Sequence, residues 1–90
     1  MASEQVWVVA ACFNEAEVIG SFIERVMALP EVDHLLLIDD GSSDATVAVI
    51  GAWQKSHADQ AVTLLELTRN FGKEAAMLAG LDYALSLIHI

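Results

Sequence analysis

Four things are scarce in this 90-residue chain: cysteine, proline, positive charge and long apolar runs. The single cysteine, Cys12, cannot form an internal disulfide, and an intracellular setting is the expectation. Four Lys and Arg stand against thirteen Asp and Glu, a formal charge of −9. That balance argues against nucleic acid as a partner, because no basic face can be assembled to meet a phosphate backbone. It leaves room for a small anionic ligand, since a few local donors and helix N-termini bind phosphate against the net field. The longest apolar run, Val6 to Phe13, is far short of a membrane span. Met1-Ala2-Ser3-Glu4-Gln5 has no basic residue and no signal-peptide pattern. A soluble, cytoplasmic chain with one small domain over residues 1–90 is therefore expected. The lone proline, Pro30, marks one helix end. The hydrophobic content, 56%, is high for a small domain and points to surfaces meant to be covered.

What is present centres on Leu35-Leu36-Leu37-Ile38-Asp39-Asp40-Gly41-Ser42-Ser43-Asp44. Four large aliphatics bounded by turn residues read as a strand buried on both faces. Gly41 permits the reversal that follows, and one of Ser42, Ser43 and Asp44 can cap a helix starting near Ala45. Asp39 and Asp40 then sit at the carboxyl end of a central strand, where open α/β sheets place their ligands.

Val6 to Phe13 is a second buried-strand pattern, followed at once by Asn14-Glu15. Val18, Ile19, Phe22, Ile23, Val26 and Leu29 recur at helical spacing, with Asn14 as the expected N-cap. Ala45 to His57 carries Val47, Ile50 and Trp53 along one side of a second helix. Val62 to Leu67 is a third strand, partly alternating as at a sheet edge. Glu74 to about Leu87 is a third helix, with Leu78, Leu81 and Leu85 expected on its packing face. The order β-α-β-α-β-α implies a three-layer, Rossmann-like α/β fold with parallel strands, right-handed crossovers and helices on both faces.

All three strand-to-helix loops then emerge on one edge. They bring Asn14 and Glu15, Asp39 to Asp44, and Arg69 to Lys73 together. Carboxylates accept hydrogen bonds from ribose hydroxyls or a base N–H. Arg69 offers a planar fork for phosphate or a base edge, Lys73 a point charge at the start of the third helix. A nucleotide with its sugar toward the acids and its phosphates toward Arg69 and Lys73 uses every loop; the plainer alternative pairs these two cations with Glu66 or Glu74. Neither a P-loop nor Gly-x-Gly-x-x-Gly is present. His34, His57 and His89 lack metal-ligand spacing, Cys12 reads as a buried small hydrophobe, and Trp7 and Trp53 as packing residues.

Three segments, Val9-Ala10-Ala11-Cys12-Phe13-Asn14-Glu15, Leu37 to Asp44, and Leu67-Thr68-Arg69-Asn70-Phe71-Gly72-Lys73-Glu74-Ala75-Ala76, resemble family 2 glycosyltransferases in order and spacing. The polyprenol-phosphate, dolichol-phosphate mannosyltransferase-like group is the most similar. The resemblance, over roughly residues 6 to 85, implies a GT-A fold whose loops bind a UDP- or GDP-sugar for transfer to a polyprenyl phosphate. It assigns Asn14 and Glu15 to the nucleoside pocket, Asp39 and Asp40 to base and ribose, Arg69 and Lys73 to base edge and diphosphate, and Ser42 to the nucleotide-sugar site more generally. Ala11 departs from the family, which often carries proline there.

The family's third helix leads to a fourth strand ending in Asp-x-Asp, which holds a divalent metal (Mg or Mn) on the sugar diphosphate. This chain has no such motif, so the resemblance implies an N-terminal, partial domain without catalytic or metal-ligating residues, inactive alone. Full-length relatives are expected at the cytoplasmic face of a membrane. With the fourth strand missing, the first strand would expose an apolar edge and promote self-association. The non-enzymatic alternative is a receiver-like α/β domain whose acidic strand end binds Mg or a protein partner.

Overall fold

The computed structural model describes residues 5–87, with side chains through residue 84. Six elements alternate: β1 (Trp7–Cys12), α1 (Ile19–Met27), β2 (His34–Asp39), α2 (Thr46–Ser56), β3 (Val62–Glu66) and α3 (Lys73–Leu87). The strands form one parallel sheet in the order β1-β2-β3, with Ala10 opposite Leu37 and Leu37 opposite Leu64. This is the three-layer α/β architecture expected from the alternation.

β2 is central and buried from Leu35 through Asp39, because helices cover both faces of the sheet. Leu35 and Leu37 pack with Ile19 and Ile23 of α1 and Ile50 of α2, while Leu36 and Ile38 pack on the opposite side with Ala76 and Ala84 of α3. Burying each of these four strand side chains contributes about 1.5–3 kcal/mol, making β2 the main apolar anchor. Its continuous aliphatic run is the expected signature of a strand covered on both sides.

The helices depart from their expected faces in instructive ways. α1 buries Ile19 and Ile23, with Val26 and Met27 at the margin, whereas Val18, Phe22 and Leu29 stay exposed. On α2 the packing stripe is Thr46, Val49, Ile50 and Trp53 rather than Val47. α3 reverses its expectation: Leu78 is 67% exposed and Leu81 49%, while Ala76, Gly80 and Ala84 face the sheet. Leu85 lies outside the side chains described. A Cβ on Gly80 would lie 2.3 Å from Ile38 Cδ1 and 3.2 Å from Val9 Cγ1. Close approach to two branched side chains selects the small-residue stripe, and the leucines are turned away.

β1 has one open edge. Val6 O accepts from Asp33 N and His34 N, and Cys12 O accepts from Asp40 N. The two-residue period of a parallel ladder therefore points the backbone groups of Trp7, Val9 and Ala11 outward. Beside that edge lies an apolar hollow of about 520 Å³ lined by Val9, Lys73, Glu74, Met77, Leu78 and Leu81.

Trp7 stacks on His34 at 4.0 Å and Trp53 on His57 at 3.9 Å, so both tryptophans pack rather than stand free. Burial lowers the pKa of His34. His57 Nε2 lies 3.8 Å from Glu24. His89 lies outside the described residues. No helix among the described residues is long and apolar enough to cross a membrane.

Candidate functional site

The loops after β1, β2 and β3 meet at the carboxyl edge of the sheet, and the Asp39–Asp44 segment is their common support. On one side it holds the loop that follows β1. Asn14 N donates to Ser42 Oγ at 2.8 Å, and Asn14 Oδ1 accepts from Ser43 N at 2.8 Å and Asp44 N at 3.3 Å. Glu15 N donates to Thr46 Oγ1 at 2.9 Å, and Ala16 N to Asp44 Oδ2 at 3.2 Å. Thr46, fully buried, donates its own hydroxyl hydrogen bond to Asp44 Oδ1.

Asn14 therefore does not cap α1. Its backbone is left-handed, with φ 52°, and α1 begins only at Ile19 after a turn closed by Val18 N and Ile19 N on Glu15 O. Asn tolerates that conformation better than most residues. It also turns the side-chain oxygen to the β2–α2 loop, where two backbone N–H groups need acceptors. Asp44 supplies the corresponding service to α2, accepting from Thr46 N at 2.9 Å. The hydroxyl of Thr46, ahead of the backbone donors, holds the Asp44 carboxyl below the usual carboxylate range.

On its other side the segment holds the loop after β3. Asp40 is 3% exposed, and its two oxygens accept from Phe71 N at 2.8 Å and Gly72 N at 3.1 Å. Asn70 Nδ2 donates to Asp40 O at 3.3 Å. Gly41, at φ 75°, lies so close to this loop that a Cβ would stand 2.5 Å from the Arg69 carbonyl carbon and 2.6 Å from Asn70 N. Glycine is required there for both conformation and space.

Asp39 is 2% exposed and takes the opposite hand: its oxygens accept from Ser42 N at 2.9 Å and Ser42 Oγ at 2.5 Å. Ser42 thus links Asp39 to Asn14. Leu67 N completes the frame by donating to Asp39 O at 2.9 Å. The adjacent carboxylates point to different loops. Among the described residues no group of three or more His, Cys, Asp or Glu converges to hold a metal ion. An octahedral cation asks several oxygens for convergent lone pairs, and these two acids are committed in divergent directions.

The cations stand apart from this network. Arg69 and Lys73 make no ion pair among the described residues, so neither Glu66 nor Glu74 holds them; the Arg69 guanidinium instead lies 4.7 Å over the Phe71 ring. Glu15 is exposed and is held through its backbone, its N–H donating to Thr46 and its carbonyl accepting from Val18 N and Ile19 N. Cys12, in contrast, is buried, with its pKa raised to about 12 by burial first and by the Asp39 charge second. It stays a neutral thiol, and its Sγ lies 3.6 Å from Ile38 O.

The edge brings together Asn14, Glu15, Asp39, Asp40, Ser42 and Arg69, while Lys73 stands at the start of α3 and borders the hollow on the β1–α3 flank. Sequence reasoning passed over two others. Thr46 is a fully buried polar residue joining the first two loops, and Phe71 carries Arg69 on its ring. The Asp44-x-Thr46 and Arg69-x-Phe71 spacings are the only signals that could have pointed to them.

Comparison with known proteins gives this edge a context. The chain is similar to a prophage bactoprenol glucosyl transferase homolog of Escherichia coli, 44% identical over 84% of this chain and 26% of that protein. It is similar to a dodecaprenyl-phosphate galacturonate synthase of Rhizobium johnstonii, 42% identical over 84% of this chain and 23% of that one. Among solved structures, a mannosyltransferase of Pyrobaculum calidifontis in complex with GDP-Man and Mn2+ superposes with a TM-score of 0.77 at 26% identity. That match covers 94% of this chain and 24% of the mannosyltransferase. The chain thus spans about a quarter of the length of the relatives it matches. The family model for glycosyl transferase family 2 covers residues 7–88, and the chain belongs to that family, with a GT-A fold.

Proposed function

We propose that this chain forms the nucleotide-binding wall of a glycosyltransferase that moves a sugar from a nucleoside diphosphate donor to a polyprenyl phosphate. The observation that carries the reading is the carboxyl edge. Three loops are interlocked by their own hydrogen bonds, and Arg69 and Lys73 remain uncommitted to any acid beside them. A net-negative chain whose Arg69 and Lys73 have no acidic partner among the described residues suits an anionic ligand there.

In this reading Ser42, held by the buried Asp39, faces the base and ribose, with Asn14 and Glu15 flanking the nucleoside and Asp40 lying behind the Arg69 loop. Arg69 meets the base edge or diphosphate with its planar fork, and Lys73 adds a point charge. Two of the backbone N–H groups entering α3 are already taken by Asp40, so diphosphate binding rests on the Arg69 and Lys73 side chains. The donor is a UDP- or GDP-sugar; the mannosyltransferase with GDP-Man favours guanine as the first base to test.

A divalent cation would neutralise charge on the departing diphosphate. The acids described here do not fit such an ion, so the roles assigned to this chain are binding and orientation. Alone it should bind nucleotide weakly and transfer no sugar. Its longer relatives would meet their lipid acceptor at the cytoplasmic face of a membrane. Family membership displaces the receiver-like alternative. The open edge of β1, with Leu78 and Leu81 beside it, favours self-association of the isolated chain.

Calorimetric titration with UDP and GDP tests the reading. One of them should bind saturably, and Arg69→Ala should weaken it about tenfold, the order of a lost charge-assisted contact. No saturable heat with either nucleotide at millimolar concentration would overturn it.

A further inference from the structure

The two adjacent carboxylates at the end of β2 have different partners, and the difference has a functional consequence. We infer that Asp40 is a positioning residue: it does not touch the nucleotide, but sets Arg69 by clamping the backbone at Phe71 and Gly72. The inference rests on the nucleotide-binding reading above and deepens it.

The geometry runs through a short chain of contacts. Asp40 N is tied to Cys12 O at 2.9 Å, which fixes its backbone to β1. Its carboxylate, almost wholly buried, receives Phe71 N on one oxygen and Gly72 N on the other. Gly72 O in turn accepts from Ala76 N, so the clamped segment is continuous with the first turn of α3. Asn70 is held to the Asp40 carbonyl and Arg69 is pressed against Gly41. The carboxylate thus fixes the backbone at Phe71 and Gly72, Asn70 is tied through its side chain, and the Arg69 backbone lies against Gly41. Phe71, placed by this clamp, carries the Arg69 guanidinium on its ring at 4.7 Å. Stacking on the ring narrows the wide rotamer freedom of an exposed arginine before any ligand arrives.

Asp39 lacks these features. Both of its oxygens serve Ser42, on the side of Asn14, and none of its side-chain bonds reaches the Arg69 loop. The acids therefore divide the edge: Asp39 organises the nucleoside side, Asp40 the cationic side.

A double-mutant cycle on the 1–90 chain, read by calorimetry with GDP and UDP, tests the coupling. Asp40→Asn should weaken nucleotide binding about tenfold, as Arg69→Ala does, and the double variant should be no weaker than Arg69→Ala alone. Asp40→Asn combined with Glu15→Gln should show additive losses. A merely structural role would lower the melting temperature without this selective coupling to Arg69. Asn70→Ala, which removes only the outer tie, should give a smaller loss in the same direction and guards against misfolding of Asp40→Asn.

Amide hydrogen exchange without nucleotide gives an independent arm. Asp40→Asn should speed exchange at Phe71 and Gly72 and leave Glu15 and Ala16 unchanged. Additive losses for Asp40→Asn and Arg69→Ala, or unchanged exchange at Phe71 and Gly72, would overturn the inference while leaving the nucleotide reading intact. Absence of nucleotide binding in the unmodified chain would instead overturn that reading, and the positioning role with it.

Discussion

The carboxyl edge of the sheet and the β1–α3 flank are built on opposite rules. At the edge nearly every loop residue is engaged: Asn14, Ser42, Asp44 and Thr46 hold two loops together, and Asp40 with Gly41 holds the third. No buried side-chain N or O among the described residues lacks a partner. The flank is largely apolar and open, with Leu78 and Leu81, beside Lys73 and Glu74, bordering a hollow next to an unpaired strand edge. The edge is held by hydrogen bonds among its own three loops. The flank is shaped to be covered. Binding geometry and overall solubility are consequently separable properties in this chain, and substitutions should affect one without the other.

The strongest test of that separation lies within α3. Gly80→Val would drive a branched side chain into Ile38 and Val9 and should cost about 2–3 kcal/mol, visible as a lowered urea midpoint. Leu78→Ser, two residues away but 67% exposed, should change stability by less than about 0.5 kcal/mol. It should instead reduce self-association in sedimentation velocity. A large loss of stability for Leu78→Ser would mean that the leucine face, not the small-residue face, packs on the sheet.

A smaller effect concerns acid. The Asp44 carboxyl is held below its ordinary range chiefly by the Thr46 hydroxyl. A carboxyl whose pKa is depressed on folding contributes stability above its unfolded pKa and loses it as pH falls through the folded value. Melting temperature should therefore drop as pH falls through and below the ordinary aspartate range, and Asp44→Asn should shallow that drop. An unchanged acid limb in Asp44→Asn would show that Asp44 does not couple the two loops. The smallest expected signal is chemical: Cys12, with its pKa raised to about 12 and its side chain buried, should resist a thiol reagent at pH 8 until denaturant is added.

How much of this was legible in the sequence follows from the range over which each feature is determined. Leu35–Ile38 announces a doubly covered strand because a continuous aliphatic run bounded by turn residues has few other uses. The strand–helix alternation then implies one edge for all three loops. The residues on that edge were accessible in the same way, reinforced by three motifs in family order.

What was not legible depends on contacts between distant segments. Asn14-Glu15 before an apolar repeat has the form of a helix cap. Only its neighbours 28 to 30 residues away, Ser42, Ser43 and Asp44, show that the side chain serves another loop. Leu78 and Leu81 have the right spacing for a buried stripe. The competing stripe of Ala76, Gly80 and Ala84 wins because α3 sits close enough to Ile38 to exclude even a Cβ at Gly80. Asp39 and Asp40 are chemically identical in sequence, and their division of labour exists only once the loops have closed on them.

The central claim is that the interlocked edge, and not the apolar flank, receives the nucleotide. Residue-resolved amide shifts during GDP and UDP titration of the 15N-labelled chain test it most directly. Saturable shifts at Glu15, Ser42, Arg69 and Lys73, with Leu78 and Leu81 unmoved, are the predicted result. Shifts centred on Met77, Leu78 and Leu81, or no saturable shift at residues 14–15, 39–44 and 69–73, would contradict it.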